Sequence, residues 1–243
     1  VRVTYGVPVN TTAGTAGGPP FDAGAARRMR EALGMTPAHV AHALRAAYGV
    51  QVPTATVIAW EQGRDRPTEK ELTALAGALW CAPGELLGAP RTLREYRLAR
   101  GIGVVDLAMA IGMDVAVYQR AENDGRWEGN DRQAAELADA LALPLSSLIS
   151  FTGRAPRLTE MLVSAATTRW QGYVGPVRET VGLPKRDVQD ALAHVHKGYQ
   201  ALMAASTNWG EGSSSHNAGR AGAAYLADIQ QHFWDRLGER GIS

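Results

Sequence analysis

Hydrophobic positions along this chain recur three and four residues apart, the spacing of helices with one buried face, and no useful stretch alternates at the two-residue period of a strand. The segment FDAGAARRMREALG at 21–34 reads as a basic helix stopped by Gly34 in the C′ position. Thr36-Pro37 opens the next helix, with threonine as N-cap and proline in the tolerated first position, and Val40 and Leu44 share its apolar face. PTATVIAWEQG at 53–63 predicts a third helix ending at Gly63. Thr68 and Glu71 then form a capping box ahead of an apolar stripe of Leu72, Leu75, Ala76 and Leu79. The expected fold class is all-α.

The pattern then repeats. Gly34, Met35, Val40, Ala41 and Leu44 match Gly101, Ile102, Leu107, Ala108 and Ile111 at an offset of 67. Val57 and Glu61 match Tyr118 and Glu122 at 61, and Leu75, Ala76, Leu79, Leu86 and Leu87 match Leu137, Ala138, Leu141, Leu148 and Ile149 at 62. The drop from 67 to 61 places six extra residues in one loop of the first copy, within RAAYGVQV at 45–52. The expected organisation is an N-terminal Gly/Thr/Pro arm at 1–21, two tandem units at 22–89 and 91–151, and a further helical domain at 154–243. The second unit has Asn130 and Gln133 where the first has its capping box.

The last third leaves the repeat. LTEMLVSAATTRWQGYVGPV and PKRDVQDALAHVHKGYQALMAAS read as amphipathic helices, a polar loop NWGEGSSSHNAG follows, and GRAGAAYLADIQQHFWDRLGER reads as a final helix. VRETVGLPKRDVQDALAHV, with Val188 and Leu192 apolar, fits any helical hairpin with a Gly-Leu-Pro turn. The aromatics Trp170, Tyr173, Tyr199, Trp209, Tyr225, Phe233 and Trp234 suit a packed domain, a subunit interface or the pocket of an unidentified effector. An interface is the first choice, because Tyr225, Ile229 and Phe233 recur every four residues on a wide apolar face.

Charge and composition narrow the classes. Hydrophobic residues make up 45% of 243, enough for real cores, and the net charge of +1 favours no partner by itself. Residues 20–90 balance seven Lys/Arg against seven Asp/Glu, and 91–153 carry seven against nine. The lone Cys81, in an apolar run with no basic neighbour, reads as a small core hydrophobe and allows no intrachain disulfide. No apolar stretch is long enough to cross a membrane and no signal peptide opens the chain, so a cytoplasmic protein is expected.

Trp60-Glu61-Gln62-Gly63, a basic residue, Pro67, the capped helix and LAGALWCAPGELL occur here in an order that resembles the lambda-repressor-like helix-turn-helix domains of Cro/C1 and XRE-type bacterial regulators. The second unit, GIGVVDLAMAIGMDVAVYQRAENDGRW onward, is a weaker copy, and together the two cover about 130 residues. The resemblance implies a DNA-binding transcriptional regulator with tandem helix-turn-helix domains, whose second motif helix lies in the major groove. Thr54, Ala55 and Ala59 then fall on the base-reading face with Thr56 beside them, while Val57 and Trp60 point into the core. Gln62 and Arg64 match phosphate contacts, Arg66 stands close by, Thr36 caps the first motif helix and Thr68 the next one, whose backbone N–H groups offer an anion contact. In the second unit the corresponding contacts are Gln119, Arg120, Asn123 and Arg126. Double-stranded DNA is the implied partner, with a homodimer formed through the C-terminal domain.

Departures from the family pattern are equally legible. Pro37 stands where members often carry glutamine, the reading face offers methyls rather than an Arg–guanine or Gln–adenine pair, and Asp114 opens the second unit's recognition helix. With the near-neutral charge, these features support an alternative, a protein-interaction adaptor that reuses the fold. Other chemistry finds little footing. Gly101-Ile102-Gly103 lacks the third glycine and the preceding strand of a dinucleotide site. His39 and His42 have metal spacing but no companion ligand, and His194 and His196 point to different sides of a helix. No catalytic residue, metal site or cofactor is expected, and no enzyme.

Overall fold

Side-chain caps mark where many of these helices begin. The computed structural model describes residues 19–207 and 214–238, all-helical but for an isolated bridge between Phe21 and Leu87. Residues 1–18 of the expected arm, and 208–213 with Trp209, lie outside the described residues. At the arm's end, Asp22 N–H donates to the Leu86 carbonyl and Gly88 N–H to that of Pro20. The described residues fall into two compact units, 19–143 and 144–238.

In the first unit, the Asp22 carboxylate caps α1 (Ala23–Ala32) and Thr36 caps α2 (Pro37–Tyr48). Helix α3 (Thr54–Glu61) starts after Pro53 with no side-chain cap, and Thr68 with Glu71 boxes the start of α4 (Glu69–Ala78). A 3-10 turn, Pro83–Leu86, ends the string. The string recurs as α5 (Leu93–Ala99), α6 (Val104–Ala110), α7 (Val115–Asp124), α8 (Asp131–Leu141) and α9 (Leu145–Phe151). Starts of α2 and α6 differ by 67 residues, of α3 and α7 by 61, and of α4 and α8 by 62, the offsets of the apolar pattern.

The six additional residues of the first copy are mostly helix, not the loop that the spacing suggested. Helix α2 has 12 residues against 7 in α6, and the loops that follow, 49–53 and 111–114, differ by only one. Arg45-Ala46-Ala47 are good helix formers, so the helix runs on until Gly49 turns it off in the left-handed region. The extension carries Tyr48 onto α4, where a Cβ on Gly77 would run into the phenol ring.

Val40, Leu44, Val57, Trp60, Leu72, Leu75 and Leu86 close the core of the first copy, joined by Leu98 of α5. Leu107, Ile111, Tyr118, Ala121, Leu137 and Leu141 are buried in the second. The large residue changes place between them: Val57 with Trp60 in α3 becomes Tyr118 with Ala121 in α7, all four buried.

The second unit is built on α12 (Lys185–Thr207), packed by α10 (Ala155–Thr167), α11 (Val174–Val181), α13 (Ser214–Ala227) and α14 (Ile229–Gly238). Helix α9, the last element of the repeat, adds Ile149 and Leu145 to this core. The expected helix over 158–177 breaks at Thr168 into α10, a 3-10 turn Trp170–Tyr173, and α11. The expected final helix is likewise interrupted at Asp228. Its apolar face is taken up at home: Ile229, Phe233 and Leu237 are buried, and Tyr225, Leu226 and Trp234 pack against the same core. Val188 and Leu192 are buried with them.

Candidate nucleic-acid interface

Helix α3 is short and lacks a capping side chain, so its placement depends on what it buries. Val57 and Trp60 face inward, and Glu61 at its end meets Arg30 of α1. Arg30 Nε and Nη2 donate to the two Glu61 carboxylate oxygens at 2.6 and 2.8 Å, and Nη1 donates to the Met35 carbonyl at 2.7 Å. One guanidinium thus joins α1, the turn after it and the end of α3, and the hydrogen bond to Glu61 pushes the arginine's pKa up. The second copy builds the same knot. Arg97 donates to Glu122 through Nε and Nη2 at 2.6 and 3.0 Å, and through Nη1 to the Ile102 carbonyl at 3.1 Å. Burial opposes the charge on Arg97, but Glu122 outweighs it and leaves the pKa raised. Tyr118 also donates its hydroxyl to Glu122 at 2.7 Å, and burial, with that carboxylate beside it, pushes the phenol far up.

With one side of α3 fixed, the other is presented to solvent. Thr54 and Ala55 are exposed, and Thr56 and Ala59 are half-buried at its flank. Ile58 is exposed as well and, at three and four residues from Ala55 and Thr54, shares their face. The sequence reading passed over Ile58, although helical spacing alone places it there. Gln62, Arg64 and Arg66 are exposed, and their side chains have no partner among the described residues. Gly63, at φ 67°, lets Arg64 N–H reach back to the Ala59 carbonyl at 2.9 Å, which ends the helix and turns the chain. Asp65 between the arginines accepts Arg66 N–H at 2.8 Å. The stretch therefore offers two unpaired guanidiniums beside a methyl-rich helix face.

The caps at either side are occupied. Thr36 exchanges hydrogen bonds with His39, which engages that imidazole. The Thr68 N–H and hydroxyl both donate to Glu71 at 2.8 Å, so the Glu71 carboxylate already fills the anion position expected at the start of α4. Glu69 beside it is held by Arg94 and by Arg97.

The equivalent face of the second copy differs in chemistry. Gln119, Arg120, Asn123 and Arg126 are exposed, and Arg120 lies 3.6 Å from Glu128 in an exposed ion pair. Arg126 stands where the first copy has Arg64, but Glu128 replaces Arg66. Asp114 caps α7, accepting from Ala116 and Val117 N–H. On α6, Val105 and Met109 are exposed in place of Ala38 and His42.

No family model matches the chain, and neither a curated protein nor a solved structure matches it.

Among the described residues no group of His, Cys, Asp or Glu is placed to hold a metal ion, and no helix is long and apolar enough to cross a membrane. Cys81 is partly buried, and burial followed by nearby Glu85 pushes its thiol up, away from the reactive thiolate.

Proposed function

We propose that this chain binds duplex DNA through its first copy and acts as a transcriptional regulator. One observation carries the reading: a helix clamped from behind by a buried Arg–Glu pair has a solvent face of Thr54, Ala55 and Ile58, and its terminus sets out Gln62, Arg64 and Arg66 with no partner among the described residues. Small methyl-bearing side chains suit thymine methyls in the major groove, and free guanidiniums at the helix end suit phosphates. The order of elements, short helix, turn, second helix and capped third, is the one the resemblance to lambda-repressor-like regulators implies, with the second copy a modified repeat.

A second reading rests on the second copy. Its exposed Val105 and Met109, and Glu128 in place of an arginine, favour protein docking there over phosphate contact. Pull-down of genome fragments with the full chain, followed by sequencing, separates the two. A shared motif among the recovered fragments supports the regulator, and absence of any enrichment supports the adaptor. Replacing Arg64 and Arg66 with alanine should reduce the log–log salt slope of DNA binding by about 0.9 for each lost phosphate contact.

A further inference from the structure

We propose that Arg94 of α5 belongs to the DNA-contacting edge of the first copy, as a phosphate ligand supplied to that copy by the second. The inference rests on the DNA-binding reading above and extends it to a residue outside the repeat's own motif.

Arg94 and Arg27 occupy equivalent places in α5 and α1, 67 residues apart, yet their surroundings differ. Arg27 pairs with Glu31, one turn along its own helix, at 2.8 Å. At that turn α5 has Leu98, a buried core residue, so Arg94 finds no carboxylate one turn along its own helix, and Glu95 beside it accepts from the Arg91 and Thr92 N–H groups. Its Nε goes instead to Glu69, the first residue of α4. Glu69 follows Arg66 by three positions, a span of at most about 11 Å of chain. The ion pair thus brings a guanidinium of the second copy to the first turn of α4, three residues past Arg66.

The division of labour between the two arginines on Glu69 makes Arg94 the available one. Arg97 is buried, with Nε, Nη1 and Nη2 all engaged by Glu122, the Ile102 carbonyl and Glu69. Arg94 is 56% exposed, spends its Nε on Glu69 and has no further partner among the described residues, so its Nη groups remain for an incoming oxygen. Glu69 alone would put a repelling carboxylate beside a phosphate strip. Arg94 offsets that charge, and Glu69 in turn holds Arg94 in place. A third exposed cation also suits an edge whose unit has no excess of positive charge, seven Lys/Arg against seven Asp/Glu over residues 20–90. Successive phosphates of one strand advance about 3.4 Å along the duplex axis, so three cations spread over such an edge can meet separate phosphates.

Binding of the full chain to a fluorescein-labelled mixed-sequence duplex, followed by anisotropy across a series of salt concentrations, tests this. Arg94→Ala should flatten the log–log slope by about 0.9 and weaken binding about eightfold near 0.1 M salt, while Arg27→Ala, exposed and paired with a single carboxylate like Arg94, leaves the slope unchanged. Circular dichroism confirms that each variant is folded. A slope that falls for Arg64→Ala/Arg66→Ala but not for Arg94→Ala overturns the role of Arg94 and leaves the DNA reading standing. Equal losses for Arg94→Ala and Arg27→Ala overturn it as a mere effect of net charge. A wild-type chain that does not bind the duplex takes down both.

Discussion

Glu61→Ala would remove the carboxylate that holds Arg30 and leave the guanidinium where it is. Each side chain of the pair is only 10% exposed, so water has little access to the vacated position. Arg30 keeps the Met35 carbonyl on Nη1 but loses the acceptors of Nε and Nη2. Breaking a buried pair from one side costs about 3–5 kcal/mol, because the remaining charge stays desolvated; the half-exposed Glu31, 3.6 Å from Nη2, is the one carboxylate left beside it among the described residues and sets the expectation at the lower end. Arg30→Met with Glu61→Leu removes both charges, and the double variant should lie between neutrality and about 4 kcal/mol of added stability. Urea unfolding followed by circular dichroism measures the totals, and hydrogen exchange over peptides from α1 and α3 localises them, which matters in a chain of two compact units. A loss below about 1 kcal/mol for Glu61→Ala would show that water reaches Arg30 after all. A double variant as unstable as the single would show that shape, not charge, sets the cost. In the second copy Glu122→Ala should cost at least as much, since it strands the Tyr118 hydroxyl as well and leaves Arg97 with the Ile102 carbonyl and Glu69 at 3.5 Å.

Further outcomes follow from single positions. Trp80 sits at φ 55° with its side chain in solvent, 88% exposed; since an L residue there costs about 1–2 kcal/mol, Trp80→Gly should stabilise the chain by up to about 1 kcal/mol in a thermal melt. A lower melting temperature would mean that the chain holds the indole. Asp114→Ala should destabilise by about 1 kcal/mol through loss of the α7 cap, with Asp114→Asn recovering most of it, and an unchanged denaturation midpoint for the alanine variant would refute the cap. Trp60→Ala should cost about 3–5 kcal/mol, and a loss under about 1 kcal/mol would place that ring outside the core.

Helix positions and the repeat were open to sequence reasoning because they depend on local spacing and caps. The resemblance put Val57 and Trp60 on the inside of α3 and Thr54 and Ala55 on the outside, and the structure buries the first pair and exposes the second. The Arg–Glu pairs were not legible in the same way. A basic helix such as 21–34 reads as solvated, and burying Arg30 requires a partner 31 residues away that no local pattern announces. One signal was present: Arg30 and Arg97 lie at the offset of 67 beside Met35 and Ile102, and Glu61 and Glu122 at the offset of 61. The fate of the extra residues in the first copy was hidden for a different reason. Offsets count residues without saying whether they lengthen a helix or a loop. The apolar face of 225–237 was visible, but its cover came from α10 and α12, distant in sequence.

The two buried ion pairs also bear on how the chain avoids assembling incorrectly. Both copies use the same arginine, carboxylate and carbonyl, so nothing in that charge pattern tells α1 which of α3 and α7 to accept: Arg30 could serve Glu122 as well as Glu61. Tandem repeats are prone to this kind of exchange, within one chain or between two. Discrimination has to come from shape. Trp60 would be driven into the space that Ala121 leaves small, and Tyr118 into the space that Val57 leaves small, so each helix is rejected by the other's cavity. The interchange of large and small residues between the copies would then act as a steric key, with the wrong pairing opposed by misfit.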